Sequence, residues 1–237
     1  MVEIKNTQVY DLRESVIASG NAMRLEPEEV NEENFNSSLK RCKQLAKLGG
    51  GTGHSNFRTG ILVAFDLKYP QYFSKQIQRY HFFQYVSSTS MMHRITKMDF
   101  SKCCNKYVSK TSIKQMQTLV NFYNLMDLNK DNNEVFNDVA KDYRIWVESE
   151  FSWEWEPIWI DPKQNLLYDC FMCIMSNCPM GAELWVHCST NYEQLATIYK
   201  QRKNHKLKED WGEFCAWIES LPYAEELIIC GNSKTVE

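Results

Sequence analysis

The sequence predicts a mixed α/β chain folded as a single domain, residues 1–237. Residues 61–68 alternate apolar and polar side chains with the two-residue period of a strand, whereas Leu39, Cys42 and Leu45 recur at helical spacing. Segments of both kinds are interspersed along the chain, which favours α/β over an all-helical fold. Of the 237 residues, 43% are apolar and 24% charged, a composition typical of a globular protein with a sizeable core.

Charge and hydropathy exclude several classes of partner. With 27 basic and 30 acidic residues and no obvious basic patch, we expect no nucleic acid partner. No apolar run approaches the ~20 residues that a membrane-spanning helix needs, so we expect no membrane contact. The amino terminus lacks the basic start and apolar segment of a secretion signal, which predicts a cytoplasmic protein. The nine cysteines are accordingly expected as thiols.

In the first part of the chain, residues 7–23 indicate a strand or a short helix, followed by a polar turn. Residues 35–47 predict an amphipathic helix that ends at the glycine run 49–53. The strand at 61–68 has one better buried face. Pro70 then opens a helix that continues to Gln78 or beyond, because proline is tolerated in a first helical turn.

In the second part, a polar loop is predicted at residues 127–133 and an apolar helix at 165–176. Residues 183–188 indicate a strand or the start of a helix. Thr190 and Asn191 then resemble a helix amino terminus, since Gln194 follows at the capping-box spacing. In that helix an apolar stripe carries Arg202 on the same side. A last helix is predicted at 211–221.

The glycine run before the strand is not a nucleoside-triphosphate loop. It lacks the Gly-Lys-Ser/Thr ending, and it precedes a strand instead of following one. Two interpretations stay open: a turn that delivers His54 and Ser55 to a cleft, or a plain connection.

A calcium site is not expected. Asp127, Asn129 and Asp131 have the spacing of the first three ligands of a calcium loop. The sixth position holds Asn132 instead of glycine and the twelfth holds Asp138 instead of glutamate. A solvated turn is therefore favoured.

A zinc site is not expected either. Cys170 and Cys173 fall inside an apolar helical pattern, where cysteine behaves as a small buried hydrophobe. The spacing from Cys178 to His187 and Cys188 fits no standard zinc finger. We expect buried thiols and no metal.

Four tryptophans lie close together in the sequence, at positions 146, 153, 155 and 159. Aromatic clusters anchor both cores and subunit interfaces, so the sequence alone leaves both interpretations open.

The most polar stretch within an otherwise apolar region is residues 76–94. It holds two arginines, two histidines, three glutamines and four serine or threonine hydroxyls, interleaved with aromatic residues. Such groups are costly to bury unless they meet a ligand or one another. The stretch predicts either a site for an anionic ligand the size of a nucleotide or flavin, or a polar structural network.

These segments together resemble the flavin-dependent thymidylate synthase family. The run 53–56, Gly-His-Ser-Asn, precedes the strand and Pro70, and Gln76 and Arg79 follow in the order of the family. The segment 179–202 is similar to the family's helix that begins near an asparagine and ends in an arginine. The resemblance covers roughly residues 50–95 and 179–218.

The sequence also departs from the family pattern. The signature Arg-His-Arg is here Arg79-Tyr80-His81, and the serine after seven intervening residues is matched by Ser90 only with one insertion. Met91 or Met92 replaces the next arginine, although Arg94 is near, and no arginine stands near Trp185. The terminal Glu-Ile-Arg pattern is Glu213-Phe214-Cys215. Flavin binding is thus matched better than uracil-nucleotide chemistry.

The resemblance implies a mostly antiparallel sheet flanked by helices, with FAD as cofactor. NADPH and methylenetetrahydrofolate would be co-substrates in the methylation of a pyrimidine deoxynucleotide, dUMP to dTMP. It also implies a homotetramer with sites shared between subunits, and no cysteine nucleophile; no catalytic residue is assigned. The alternatives are a relative that modifies a different pyrimidine nucleotide, or an oligomeric binding protein that has lost catalysis.

The resemblance also assigns residues to the two ligands. Cofactor binding is expected at His54, Asn56, Arg79, His81, Asn191 and Arg202. Substrate binding is expected at Gln76, Arg79, Ser87, Ser90 and Arg94.

Overall fold

A four-stranded sheet with flanking helices makes up the computed structural model, which describes residues 1–48, 53–151 and 162–230. The strands are β1 (Glu3–Tyr10), β2 (Leu62–Pro70), β3 (Gln84–Ser88) and β4 (Glu183–Asn191), in the order β1-β2-β4-β3. The pairs β1–β2 and β3–β4 are antiparallel.

The central pair is also antiparallel. The N–H of Tyr192 donates to the carbonyl of Ile61 at 3.1 Å, and Asp66 contacts His187 further along. Residue numbers therefore increase along β2 in the direction in which they decrease along β4, so these two strands are antiparallel. The mixed α/β class and the antiparallel sheet are both confirmed.

Eleven helices are present in the described residues. They are α1 (Leu12–Ala18), α2 (Glu32–Lys47), α3 (Phe57–Gly60), α4 (Gln71–Ile77), α5 (Met91–Arg94), α6 (Phe100–Cys103), α7 (Lys110–Leu128), α8 (Asn133–Phe151), α9 (Pro162–Asn177), α10 (Tyr192–Arg202) and α11 (Lys208–Glu219). Short 3-10 turns lie at Asn21–Met23 and Ile95–Lys97, and a π turn lies at Glu225–Ile229.

The alternation predicted for β2 is confirmed. Val63, Phe65 and Leu67 are fully buried, whereas Asp66 and Lys68 on the opposite face are partly exposed. One face of the sheet therefore packs on a core, and the other carries polar side chains.

Near the amino terminus, the chain forms both of the structures that residues 7–23 left open. β1 ends at Tyr10, and α1 follows after Asp11, whose φ of 58° turns the backbone. Left-handed backbone favours glycine but is tolerated by aspartate and asparagine. The predicted helix at 35–47 is confirmed as α2, which starts three residues earlier, at Glu32.

The described chain divides into two compact units. The first comprises Met1–Ser88 and the chain from Leu184 onward, and it contains the sheet. Its core is aromatic: the Phe65 ring lies 4.3 Å from that of Trp217, and Phe73 lies 4.5 Å from Trp211, between ring centroids. Aromatic pairs in such tilted arrangements add to the stabilisation from burial.

The second unit, Thr89–Glu183, is helical, and α7 packs against α8 and α9. Leu119, Tyr143 and Ile174 are fully buried in its core. Cys170 and Cys173 belong to the same core at 0% and 3% exposure, which confirms them as buried thiols. Burial raises the pKa of the Cys173 thiol to about 11, so this thiol is protonated at neutral pH.

Several element boundaries differ from those that the sequence predicted. The polar loop is shorter than 127–133, because α7 continues to Leu128 and α8 begins at Asn133. The last predicted helix begins at Lys208 instead of 211, and the helix after Pro70 ends at Ile77. The apolar helix is confirmed as α9, and residues 183–188 form a strand.

Two expectations concern residues that lie outside the described part of the chain. Trp146 packs against Phe122 and Phe151 in the second unit, at centroid distances of 5.8 and 5.6 Å. The other three tryptophans of the cluster, and the first four residues of the glycine run, are not described.

Candidate functional site

The turn before α3 places His54 and Asn56 at a cavity of about 400 Å³ in the first unit. The lining includes Ser15 and Ser19 of the α1 region, and we call it the serine cavity. Gly53 begins the turn with a φ of 78°, a conformation that side-chain-bearing residues rarely adopt. The interpretation of this turn as one that delivers His54 to a cleft is supported; Ser55, in contrast, is buried at 2% exposure.

Hydrogen bonds fix the inner wall of the serine cavity. Ser15 Oγ donates to Asp11 Oδ2 at 2.7 Å, and Arg41 Nη2 donates to Ser19 Oγ at 3.0 Å. A Cβ added at Gly60 would overlap the Ser15 hydroxyl, so glycine permits the close approach of α3 to α1. The wall is thus preorganised, while His54 and Asn56 on the opposite side are exposed.

A second group of polar residues surrounds Trp211, and we call it the arginine–tryptophan cluster. The Arg202 guanidinium lies 4.7 Å from the Trp211 ring centroid, and its Nε donates to the Tyr80 hydroxyl at 2.7 Å. Trp211 Nε1 donates to Gln76 Oε1 at 3.0 Å. Two residues predicted to bind different ligands, Gln76 and Arg202, therefore meet in one structural network, supported by cation–π contact.

Arg79 and His81 flank Tyr80 in the sequence. Both side chains are exposed, in contrast to Tyr80, which is 8% exposed. Within the described part of the chain, Arg79 makes no hydrogen bond or ion pair, and His81 contacts the Phe82 ring at 4.9 Å between ring centroids. Burial of Tyr80 raises the pKa of its hydroxyl, so it is neutral and donates a hydrogen bond of 3.1 Å to Gln201.

Asn191 caps helix α10, as the sequence predicted. Its Oδ1 accepts from the N–H of Gln194 at 2.9 Å, and the residue is 8% exposed. The cap satisfies one of the helix's unpaired amide groups. Asn191 therefore has a structural role whether or not it also contacts a flavin.

The remaining predicted substrate residues lie on β3 and beyond it. Ser87 is exposed on β3, opposite His187 of β4. Ser90 and Arg94 belong to the second unit, where Ser90 caps α5 by accepting from His93 N at 3.4 Å and Arg94 is exposed.

The sequence did not predict that one cation, Arg58, is buried. Arg58 of α3 is 2% exposed, its Nη1 lies 3.4 Å from Glu193 Oε2, and its Nη2 donates to the carbonyl of Ala46 at 3.1 Å. It joins the end of α2 to the first turn of α10. An arginine among polar neighbours in sequence carries no signal of burial, because charged residues are usually exposed.

The sequence also did not predict a set of three hydrogen-bonded side chains on the polar face of the sheet. We call Asp66 and His187 the sheet dyad, and Asn6 is its supporting asparagine. His187 Nδ1 lies 2.7 Å from Asp66 Oδ1, and Asn6 Nδ2 donates to Asp66 Oδ2 at 2.6 Å. The hydrogen bonds from Asn6 and His187 lower the pKa of Asp66. The alternation in β2 indicated which face Asp66 occupies, but the strand order that brings β4 beside it was not predictable from the sequence.

Next to the dyad, two lysines flank Trp185. Lys5 Nζ and Lys68 Nζ lie 5.1 and 5.8 Å from its ring centroid. Glu3 pairs with both lysines at 2.6 Å. These lysines are cations beside the position where the family arginine is absent.

Metal and membrane sites are not found in the described ranges. No group of three or more His, Cys, Asp and Glu residues there is placed to hold a metal ion. None of the helices described combines the length and apolarity needed to cross a bilayer.

Solved structures of flavin-dependent thymidylate synthases share this fold. The expected resemblance is therefore confirmed in the fold. No protein-family model matches the sequence, and no curated protein matches it.

The structural similarity extends over nearly the whole chain. The flavin-dependent thymidylate synthase ThyX from Helicobacter pylori, complexed with FAD and dUMP, has a TM-score of 0.55 at 13% identity, covering 95% of this chain and 97% of its own. A second ThyX structure from Helicobacter pylori with FAD and dUMP gives 0.54 at 14% identity, with 98% and 100% covered. The UMP/dUMP methylase PolB from Streptomyces cacaoi, bound with 5-Br dUMP, gives 0.50 at 10% identity, with 98% and 92% covered.

Proposed function

We propose that this protein is a flavin-dependent methyltransferase of a pyrimidine deoxynucleotide, acting on dUMP to form dTMP. The observation that carries the proposal is the fold, which matches ThyX over 95% of this chain and 97% of that one. The PolB match supports the coarser part, methylation of a pyrimidine nucleotide. FAD is the proposed cofactor, with NADPH and methylenetetrahydrofolate as co-substrates, in a cytoplasmic homotetramer.

The polar residues present suit an FAD molecule. Within the described residues, the side chains of His54, Asn56 and Arg79 make no hydrogen bond to the rest of the chain, and all three are exposed. They offer N–H donors, and an arginine fork suits a pyrophosphate. A purely structural polar network would have paired these groups with one another.

The proposed roles differ between the exposed side chains and Arg202, which its neighbours already hold in place. His54, Asn56 and His81 would orient the flavin, and Arg79 would hold its phosphate. When bound, FAD supplies reversible hydride transfer, which the protein must direct and shield from water. Arg202, held by Tyr80 and stacked over Trp211, would present its remaining N–H groups from a fixed position.

The substrate side of the proposal rests on a second set of residues. Gln76, Ser87, Ser90 and Arg94, with Arg79, would face the nucleotide. Gln76 is engaged by the Trp211 indole, which fixes the side chain so that its amide N–H₂ can donate to a ligand.

The experiment is tritium release from dUMP labelled at carbon 5, with FAD, NADPH and methylenetetrahydrofolate. Replacement of the C5 hydrogen by a methyl group releases the label. Release that depends on all three additions supports the proposal. No release, with dUMP bound, would favour the binding protein that has lost catalysis.

A different pyrimidine substrate is the other alternative. It predicts that a nucleotide other than dUMP gives the largest thermal stabilisation of the flavin-loaded protein, because a ligand of the folded state raises the unfolding temperature. The largest shift with dUMP would exclude it.

A further inference from the structure

The polar face of the sheet carries an ordered chain of hydrogen bonds that the residues assigned above do not include. Asn6 donates to one oxygen of Asp66, and the other oxygen lies 2.7 Å from His187 Nδ1. Because an ionised carboxylate only accepts, Nδ1 of His187 carries the proton. In the neutral ring Nε2 is then left as an acceptor.

The backbone is shaped to form this chain. Asn6 has a φ of 53°, and the register of β1 against β2 shifts between Lys5 and Gln8. A bulge of this kind redirects a side chain, and asparagine is one of the few non-glycine residues that tolerate left-handed backbone. Here the bulge directs the Asn6 amide to Asp66. A second register shift in β3, between Tyr85 and Ser87, adjoins the cross-strand partner of His187.

The dyad is open to a ligand. The His187 side chain is 43% exposed and that of Asp66 32%, and Ser87, the cross-strand partner of His187, is exposed as well. Directly opposite residues of an antiparallel pair have side chains on one face, about 5 Å apart at Cβ. His187 thus offers an acceptor beside a hydroxyl that can donate.

We propose that His187 reads the pyrimidine ring of the substrate: its Nε2 accepts a hydrogen bond from the imide N–H of uracil, while Ser87 donates to the adjacent ring carbonyl. Asp66 and Asn6 are positioning residues that fix the ring orientation and the tautomer. Cytosine presents an acceptor where uracil presents this N–H, so the pair selects uracil. The inference rests on the proposed function, because it takes a pyrimidine nucleotide as the ligand.

The test compares the dissociation constants of dUMP and its N3-methylated derivative on the FAD-loaded protein. N3-methylation removes the N–H, so the wild-type protein binds dUMP about 3–10-fold more tightly, the size of one net hydrogen bond. His187→Phe binds the two nucleotides equally. His187→Gln, whose side-chain carbonyl can accept, retains part of the preference. His93→Phe, which removes an exposed histidine of the second unit, retains all of it.

The positioning role of Asp66 has its own readout. Nitrogen-15 chemical shifts of the His187 ring identify which nitrogen is protonated. The wild-type protein has the proton on Nδ1, and Asp66→Asn gives a mixture of tautomers and a weaker preference for dUMP.

The outcomes separate this inference from the proposed function. If tritium release is normal but His187→Phe keeps the full preference for dUMP, the role of His187 is overturned and the proposed function stands. If the preference depends on His187 but no tritium is released, the recognition of uracil by His187 stands and the proposed methylation does not. A wild-type protein that binds both nucleotides equally, or neither of them, contradicts the inference.

Discussion

The buried charge of one residue, Arg58, joins the ends of two helices. Arg58 contacts the carbonyl of Ala46, in the last turn of α2, and the carboxylate of Glu193, in the first turn of α10. A cation near a helix carboxyl end and an anion near an amino end both interact favourably with the helix dipoles. Arg58 therefore fixes α3, which follows directly after the turn bearing His54.

We expect Arg58→Met to lower the free energy of unfolding by about 2–4 kcal/mol, because it leaves the Glu193 carboxylate and the Ala46 carbonyl without their partner. Urea denaturation measures the loss. Lys130→Ala is the control, since its ion pair with Asp127 joins side chains that are 57% and 51% exposed. Equal stability of the Arg58 variant and the wild-type protein would show that the buried contacts are not stabilising.

The ion pairs of Glu3 make stability sensitive to acid. Hydrogen bonds to Lys5 and Lys68 lower the pKa of Glu3 from 4.5 to about 2 in the folded protein. The stabilisation is thus complete above pH 4.5 and is lost as the pH falls toward about 2. The side chain is 37% exposed, so solvent screening keeps the effect small.

We expect Glu3→Gln to be less stable than the wild-type protein at neutral pH, with the difference narrowing between pH 4.5 and about 2. Chemical denaturation across that range measures it, with Glu14→Gln, an exposed residue of α1, as control. A difference that stays constant with pH would mean that these ion pairs do not lower the pKa of Glu3.

At the residue scale, the sequence predicted Cys170 as a buried thiol and offered His54 at a cleft as one of two interpretations, but it predicted neither Arg58 nor His187. The first two follow from local patterns, a glycine turn and an apolar helix. The other two depend on partners more than 100 positions away: Arg58 pairs with Glu193, and His187 with Asp66. The spacing of nearby residues in the sequence contains no information about partners so far away.

Among the elements, α10 is the one whose start was most clearly predicted. The spacing from Asn191 to Gln194 gave the cap, and the structure has the expected hydrogen bond of 2.9 Å. The ends of α7 and α8 were harder to predict from a polar run. Asn132 caps α8, with its Oδ1 3.4 Å from Val135 N, so helix resumes directly after a very short connection. Strand order was not predictable, because β3 and β4 are separated by the second unit.

The cap of α10 gives a prediction at this scale. Asn191→Ala lowers the free energy of unfolding by about 1 kcal/mol, because the Gln194 N–H loses its acceptor. Asn191→Ser retains a capping oxygen and most of the stability. If Asn191 also binds FAD, both variants bind FAD more weakly, so denaturation and flavin titration together separate the two roles. Full stability of Asn191→Ala would contradict the capping role.

For the whole molecule, we expect four subunits, since the proposed sites are shared between them. Native mass measurement should then give about four times 28.0 kDa. A monomer that turns over dUMP at full rate would contradict shared sites. This prediction comes from the family resemblance, because composition and periodicity carry no information on symmetry.

Flavin binding tests the central claim most directly. Titration of the purified protein with FAD, followed by visible absorbance, should show saturable uptake with one flavin per subunit. Arg79→Ala should abolish retention of the flavin, whereas Lys75→Ala, an exposed cation of α4, should not. A colourless protein that takes up no FAD would contradict the account, and unchanged FAD affinity in Arg79→Ala would contradict the role proposed for Arg79.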